Sequence, residues 1–257
     1  GHVRVYERNG SEWVQRGADI DGEAADDYSG LSVSLSADGN VVAIGAQFND
    51  GNGIDSGHVR VYGWNGSAWT QRGSDIDGEA ADDQSGYSVS LSADGSVVAI
   101  GAVNNDGVNG PNSGHVRIYK WDGSAWGKRG ADIDGEAAYD ESGFSVSLSS
   151  DGYVVAIGAI YNGNISGHVR VYEWNGSEWV QRGSDIDGEA GGFIFFNGDE
   201  SGYSVSLSAD GSVVAIGAPY NDGVNGPDSG HVRVYKWDGS AWGKRGADID
   251  GEGAFDQ

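Results

Sequence analysis

The chain has 257 residues, 46 glycines, 3 prolines, 9 tryptophans, no cysteine, no methionine and a formal charge of −24. No cysteine means no disulfide framework, and no window approaches the run of about 18 apolar residues that a membrane-spanning helix needs. The negative charge argues against nucleic acid, whose phosphates would be repelled, and fits high solubility or the binding of cations or basic surfaces.

Read from residue 1, the chain opens on Gly1-His2-Val3-Arg4-Val5-Tyr6, in which valines alternate with polar residues at the period of a strand. The string returns at Gly57, Gly114, Gly167 and Gly230, and a fixed period in this range is the mark of propellers or solenoids. An Asn-Gly or Asp-Gly pair follows, as in Asn65-Gly66 and Asp122-Gly123, the punctuation of a tight hairpin. Next comes a Trp-centred strand, then Asp-Ile-Asp-Gly-Glu at Asp19, Asp75, Asp132, Asp185 and Asp248. Ser-Val-Ser-Leu-Ser begins only at Ser32, Ser88, Ser145 and Ser204, each followed by Val-Val-Ala-Ile-Gly-Ala at Val41, Val97, Val154 and Val213. The first string alternates; the second is apolar on both faces and suits a strand enclosed between sheets. No helical periodicity is present.

Four strands per unit, repeated radially, predict an all-β β-propeller of four-stranded antiparallel blades. The expected single domain, 1–257, holds a half-blade at 1–17 and complete blades at about 31–77, 86–134, 143–187 and 202–250, and the expected closure is a five-bladed ring with residues 1–17 seated between the first and fourth complete blades. Tryptophans supply much of the buried area between sheets, on the order of 150–250 Å² each. All except Trp13 fall in pairs around the hairpin: Trp64/Trp69, Trp121/Trp126, Trp174/Trp179 and Trp237/Trp242. With no methionine, residue 1 is not a translation start, so a processed or excised piece of a longer protein is expected.

The segment Ser201-Gly202-Tyr203-Ser204-Val205, then Val213-Val214-Ala215-Ile216-Gly217-Ala218-Pro219, then Gly230-His231-Val232-Arg233-Val234-Tyr235 resembles an FG-GAP repeat, the blade of the integrin α-subunit propeller. The resemblance recurs four times and implies an extracellular or cell-surface setting, with a role in adhesion, ligand binding or surface structure. It also implies an acidic calcium loop between the first two strands, but here that loop is Ser-Ala-Asp-Gly with one carboxylate at Asp38, Asp94 or Asp210, or at Asp151 in Ser-Ser-Asp-Gly. One carboxylate cannot supply the six to eight oxygens that calcium takes, so the inherited site is expected to be absent.

Acidity concentrates instead after each fourth strand: Asp19, Asp21 and Glu23; Asp75, Asp77 and Glu79; Asp132, Asp134 and Glu136; Asp185, Asp187 and Glu189; Asp248, Asp250 and Glu252. Alternating carboxylates with a turn glycine resemble the first half of a calcium loop; the preferred reading is a solvated acidic linker whose inner Asp pairs with an adjacent arginine. The five histidines, His2, His58, His115, His168 and His231, share one repeat position, which suits structural hydrogen bonding better than catalysis. Arg4, Arg60, Arg117, Arg170 and Arg233 share that strand face and are expected to pair with the loop carboxylates. Sequons at Asn9, Asn65, Asn164 and Asn175 would accept N-glycans in a secreted eukaryotic protein. An insertion breaks the fourth acidic loop, and its Phe193, Ile194, Phe195 and Phe196 form an apolar cluster of the kind that marks a contact with another chain or copy.

No nucleophile–base pair, phosphate loop or Cys/His cluster is visible, so no enzyme is expected. The leading reading is a non-catalytic extracellular structural or adhesive module, part of a larger surface or filamentous assembly that contacts neighbouring copies. The alternative is a propeller that recognises a glycan or protein on its loop face, with calcium as its cofactor.

Overall fold

A computed structural model of the chain describes residues 1–189 and 198–255. Its repeating element is an antiparallel sheet. In the first complete blade, Ser32–Leu35 pairs with Val41–Ala46, and that strand pairs in turn with His58–Trp64. The fourth position is held by two short strands on the same edge: Trp69–Gln71 pairs with one end of His58–Trp64 and Ile76–Asp77 with the other. The outer strand is therefore one strand broken between Gln71 and Ile76, and its second piece continues toward the histidine end. The next three blades repeat this order, and residues 1–21 supply the third and fourth strands alone, with His2–Val3 paired to Ile20–Asp21 and Tyr6–Asn9 to Glu12–Gln15. The blade count and strand order are as the repeat predicts. One four-residue helical turn, Asn162–Ile165, sits in a loop.

The core lies between blades. Val41, Ala43, Val59, Val61 and Ile76 of one sheet pack on Leu91, Val98 and Ile100 of the next, and the same set recurs at the following two junctions. The serines of the innermost strand bridge units as well. Ser32 Oγ donates to the Gly86 carbonyl at 2.6 Å, and Ser34 Oγ accepts the Leu91 N–H at 2.9 Å. These contacts account for the alternation of serine with valine and leucine. At the rim, Trp69 Nε1 donates to the Arg16 carbonyl of the preceding unit, and Trp126, Trp179 and Trp242 do likewise to Arg72, Arg129 and Arg182. The guanidinium of Arg16 lies 4.8 Å from the Trp64 ring centroid, a cation–π contact between units.

The seat expected for residues 1–17 between two blades is filled on one side only. Val3 and Ile20 pack against Val42, Ile44 and Tyr62 of the blade at 31–77. On the other side, the face of the blade at 202–250 is open. Ile249 is 61% exposed, whereas Ile20, Ile76, Ile133 and Ile186 are each 5% exposed. Val232 is 36% exposed where Val59, Val116 and Val169 are 0%. Residues 1–21 lack the two inner strands of a blade, so Leu35 is 50% exposed against 7% for Leu91 and Leu148. Trp13, the counterpart of the rim tryptophans, is exposed too. The physical reason is that half a blade has no inner strands to spread across either neighbour.

Candidate cation clusters and open end faces

The histidine strand and the broken outer strand together place the acidic loop. In the second unit His58 faces Asp77 in register and Val59 faces Ile76, so Ile76–Asp77 is strand and Asp75 lies just before it. The chain then turns at Gly78, and its glutamate reaches the following unit. Glu23 Oε2 lies 3.8 Å from His58 Nδ1 and Glu23 Oε1 lies 3.7 Å from Arg60 Nη1. The four complete junctions thus each assemble a cluster: Glu23, His58 and Asp75; Glu79, His115 and Asp132; Glu136, His168 and Asp185; Glu189, His231 and Asp248. In each, one ligand atom per residue lies within 4.8 Å of the others. The five acidic loops expected as separate calcium sites are therefore redistributed. Glutamate comes from one unit, histidine and aspartate from the next, while Asp21, Asp77, Asp134, Asp187 and Asp250 pair in strand register with the histidines and stand outside the clusters. Asp19 lies near His2 and accepts a hydrogen bond from Arg4 Nε at 3.2 Å.

The arginines pair with carboxylates as expected, but with those of the preceding unit: Arg117 with Glu79 at 3.6 Å, Arg170 with Glu136 at 3.7 Å and Arg233 with Glu189 at 3.3 Å. Each also donates from Nη2 to a backbone carbonyl one unit back, as Arg170 does to Asp134 at 2.7 Å. His168 departs from the hydrogen-bonding role expected of the histidines. Nε2 of His58, His115, His168 and His231 is buried without a hydrogen-bond partner, and His168 Nδ1 is too. Burial, reinforced by the adjacent arginines, pushes the imidazoles of His115 (to about 4) and His168 below the ordinary histidine value. Both are neutral at physiological pH, the state in which imidazole ligates a metal.

The Ser-Ala-Asp-Gly carboxylates serve their own turn. Asp38 accepts from Ser36 Oγ at 2.6 Å and from the Asn40 N–H at 2.9 Å, and these bonds, with Ser36 first, draw its pKa down to about 2.

At the exposed hairpin tip Asn65 Oδ1 accepts from the Ser67 N–H and Oγ, and Asn175 does the same with Ser177. Asp122 makes identical bonds to Ser124, so the Asn-Gly-Ser pattern is turn chemistry as well as a sequon. Asn9 ends an exposed strand, and Asn164 lies in the short helix. Phe193, Ile194, Phe195 and Phe196 lie outside the described residues.

Sequence reasoning missed the end face. A cavity of about 300 Å³ there is lined by Tyr203, Ser204, Gly217, Val232 and Ile249 among others. At internal junctions the same spot is filled: a Cβ on Gly45, Gly101 or Gly158 would lie 2.1 Å from the carbonyl of Gly86, Gly143 or Gly202, whereas one on Gly217 meets only its own Ser204. The cavity is an unfilled inter-blade seat. The recurrence of Ser-Gly-x-Ser-Val once fewer than Gly-His-Val-Arg was the sequence signal for it.

Fold and junction together define a β-propeller blade array. Within it, residues 197–235 match the FG-GAP repeat family model, so the resemblance read from the motif holds there. Among solved structures, the chain is similar to a putative 6-phosphogluconolactonase from Bacteroides uniformis, with TM-score 0.60 and 10% identity over 99% of this chain and 66% of that one. It is similar to a putative TolB from Agrobacterium tumefaciens, with TM-score 0.54 and 15% identity over 97% of this chain and 76% of that one. It is also similar to hydrazine synthase of Kuenenia stuttgartiensis, with TM-score 0.53 and 12% identity over 90% and 52%. The chain therefore spans 66% and 52% of two of these structures. At such identities the likeness shows the propeller fold alone. No curated protein matches the chain. Among the described residues no helix is long and apolar enough to cross a membrane.

Proposed function

We propose that this chain is a non-catalytic, extracellular or cell-surface structural module whose end faces engage further units of the same kind within a larger assembly. The observation that carries the reading is the pair of open faces, one around Val33 and Leu35 and the other around Gly217, Val232 and Ile249. Each is the counterpart of a surface that is buried at internal junctions. Fully burying one such aliphatic side chain stabilises by about 1.5–3 kcal/mol, and two apolar faces of this kind favour association with neighbouring copies. The FG-GAP match at 197–235 supports the extracellular setting, and the exposed Asn-Gly-Ser tips are accessible to glycosylation.

The near-identity of the junctions also argues against catalysis. A catalytic site needs different groups converging on one atom, whereas the repeat places equivalent groups one blade apart.

Light scattering on the isolated chain tests the reading. Mass should rise with concentration, and Leu35→Glu or Ile249→Lys should abolish the rise. A monomer at all concentrations would reject it. The second reading, a glycan- or protein-binding propeller that uses calcium at its acidic loops, is favoured by the carboxylate clusters; a glycan screen that gives specific, calcium-dependent hits would replace the structural reading with it.

A further inference from the structure

The four clusters are alike in histidine, aspartate and glutamate, but they differ at one neighbouring position, four residues before the aspartate. Lys128 and Lys244 stand there in the second and fourth clusters, and Gln71 and Gln181 in the first and third. Where lysine is present its ammonium occupies the cluster: Lys128 Nζ is 2.6 Å from Asp132 Oδ1 and 3.8 Å from Glu79 Oε1 of the preceding unit. Lys244 pairs with Asp248 in the same way. Lys128 is thus a tethered cation bridging carboxylates from two blades.

Where glutamine is present no such charge arrives. Gln181 Nε2 donates to Asp185 Oδ1 at 2.6 Å, and Gln71 does the same to Asp75 at 2.5 Å. Each of these clusters keeps two carboxylates against one arginine, a net charge of −1 when the histidine is neutral. The arginine takes one oxygen of the glutamate and leaves the other facing the imidazole: Arg170 lies 3.7 Å from Glu136 Oε1, and His168 Nδ1 lies 3.9 Å from Glu136 Oε2. That imidazole is 1% exposed, and neither of its nitrogens has a hydrogen-bond partner. A separation of 3.9 Å is too long for a hydrogen bond. It suits two ligands of one ion, since donors about 2.0–2.2 Å from a metal sit roughly 3–4 Å apart.

We infer that the Glu23–His58–Asp75 and Glu136–His168–Asp185 clusters bind a first-row divalent cation of the zinc type between blades, and that Lys128 and Lys244 replace that ion in the other two. One imidazole and two carboxylates form a borderline donor set suited to zinc. Calcium takes oxygen ligands and gains nothing from the imidazole. The cation, like the lysine, neutralises facing carboxylates and ties consecutive blades.

The test is equilibrium dialysis of the chelator-treated chain against Zn2+, with bound metal counted per chain and Co2+ absorption reporting nitrogen ligation. Wild type should bind two ions. Gln181→Lys should bind one, and it copies a side chain the repeat already carries at Lys128, so its fold is preserved. Lys128→Gln should bind three. His168→Gln should lose one ion and the corresponding cobalt band. No tight binding, or loose binding of many ions unaffected by Gln181→Lys and His168→Gln, would overturn the inference.

Discussion

A Cβ on Gly158 would sit 2.1 Å from the carbonyl oxygen of Gly202, so the second strand of one blade meets the entry to the next in backbone contact. The equivalent Gly217 has no such neighbour. Gly158→Ala must push two blades apart, and overpacking of this kind costs about 1–3 kcal/mol. Gly217→Ala meets only the rotatable Ser204 hydroxyl and should change stability by less than about 1 kcal/mol. Denaturant unfolding of the two variants measures the contrast, and equal effects would refute it.

The rim tryptophans allow a second comparison. Trp126 Nε1 donates to the Arg72 carbonyl at 2.7 Å, and Trp126→Phe should lose about 1 kcal/mol, the net worth of a hydrogen bond. Trp13 is exposed, so Trp13→Phe should be silent in the monomer. Thermal melts at low concentration check both.

Stability should depend on pH through Glu141. Burial, then the neighbouring Glu200, raises its pKa from 4.5 to about 7. The folded chain therefore holds a proton that the unfolded chain releases between those values. This contribution is constant below about pH 4.5, falls as pH rises to about 7, and is flat above. The buried imidazoles of His115 and His168, whose pKa values are depressed, act in the opposite sense over part of this window, so the expectation lies in a difference: the Tm of wild type relative to Glu141→Gln should fall between about pH 4.5 and 7. A difference that stays flat or rises across the window would contradict the assignment.

Chelation gives a fourth expectation. An ion held by the folded chain alone stabilises it by mass action, and each kcal/mol is worth about 2–4 °C at this size. EDTA should lower Tm by several degrees, Zn2+ should restore it, and Ca2+ should not. A melt indifferent to EDTA would count against bound metal.

Much of this was legible in the sequence because each blade is written as four short strings. Alternation in Ser32–Leu35 and the continuous apolar run in Val41–Ala46 marked strands facing different surroundings, and Asn65-Gly66 marked the hairpin. The junction chemistry was not legible. Glu23 meets His58 rather than its own loop, a pairing set by how one blade stacks on the next and not by spacing within a repeat. The change between glutamine and lysine at Gln71, Lys128, Gln181 and Lys244, against invariant histidine and aspartate, was the available clue. Ring closure was misjudged on one side because strings count strands but do not report that Val232 and Ile249 lack a covering sheet.

The central claim is that the end faces are unfilled seats for another blade unit. The most direct measurement is to offer the missing half-blade in trans, as a synthetic hairpin with the sequence of residues 201–218, and to follow binding by calorimetry and Tm. The account predicts two hairpins per chain, one at each end face, a raised Tm, and a single hairpin in a Val33→Glu, Leu35→Glu double variant that keeps the wild-type circular dichroism. No binding, or binding undiminished in that variant, would contradict it.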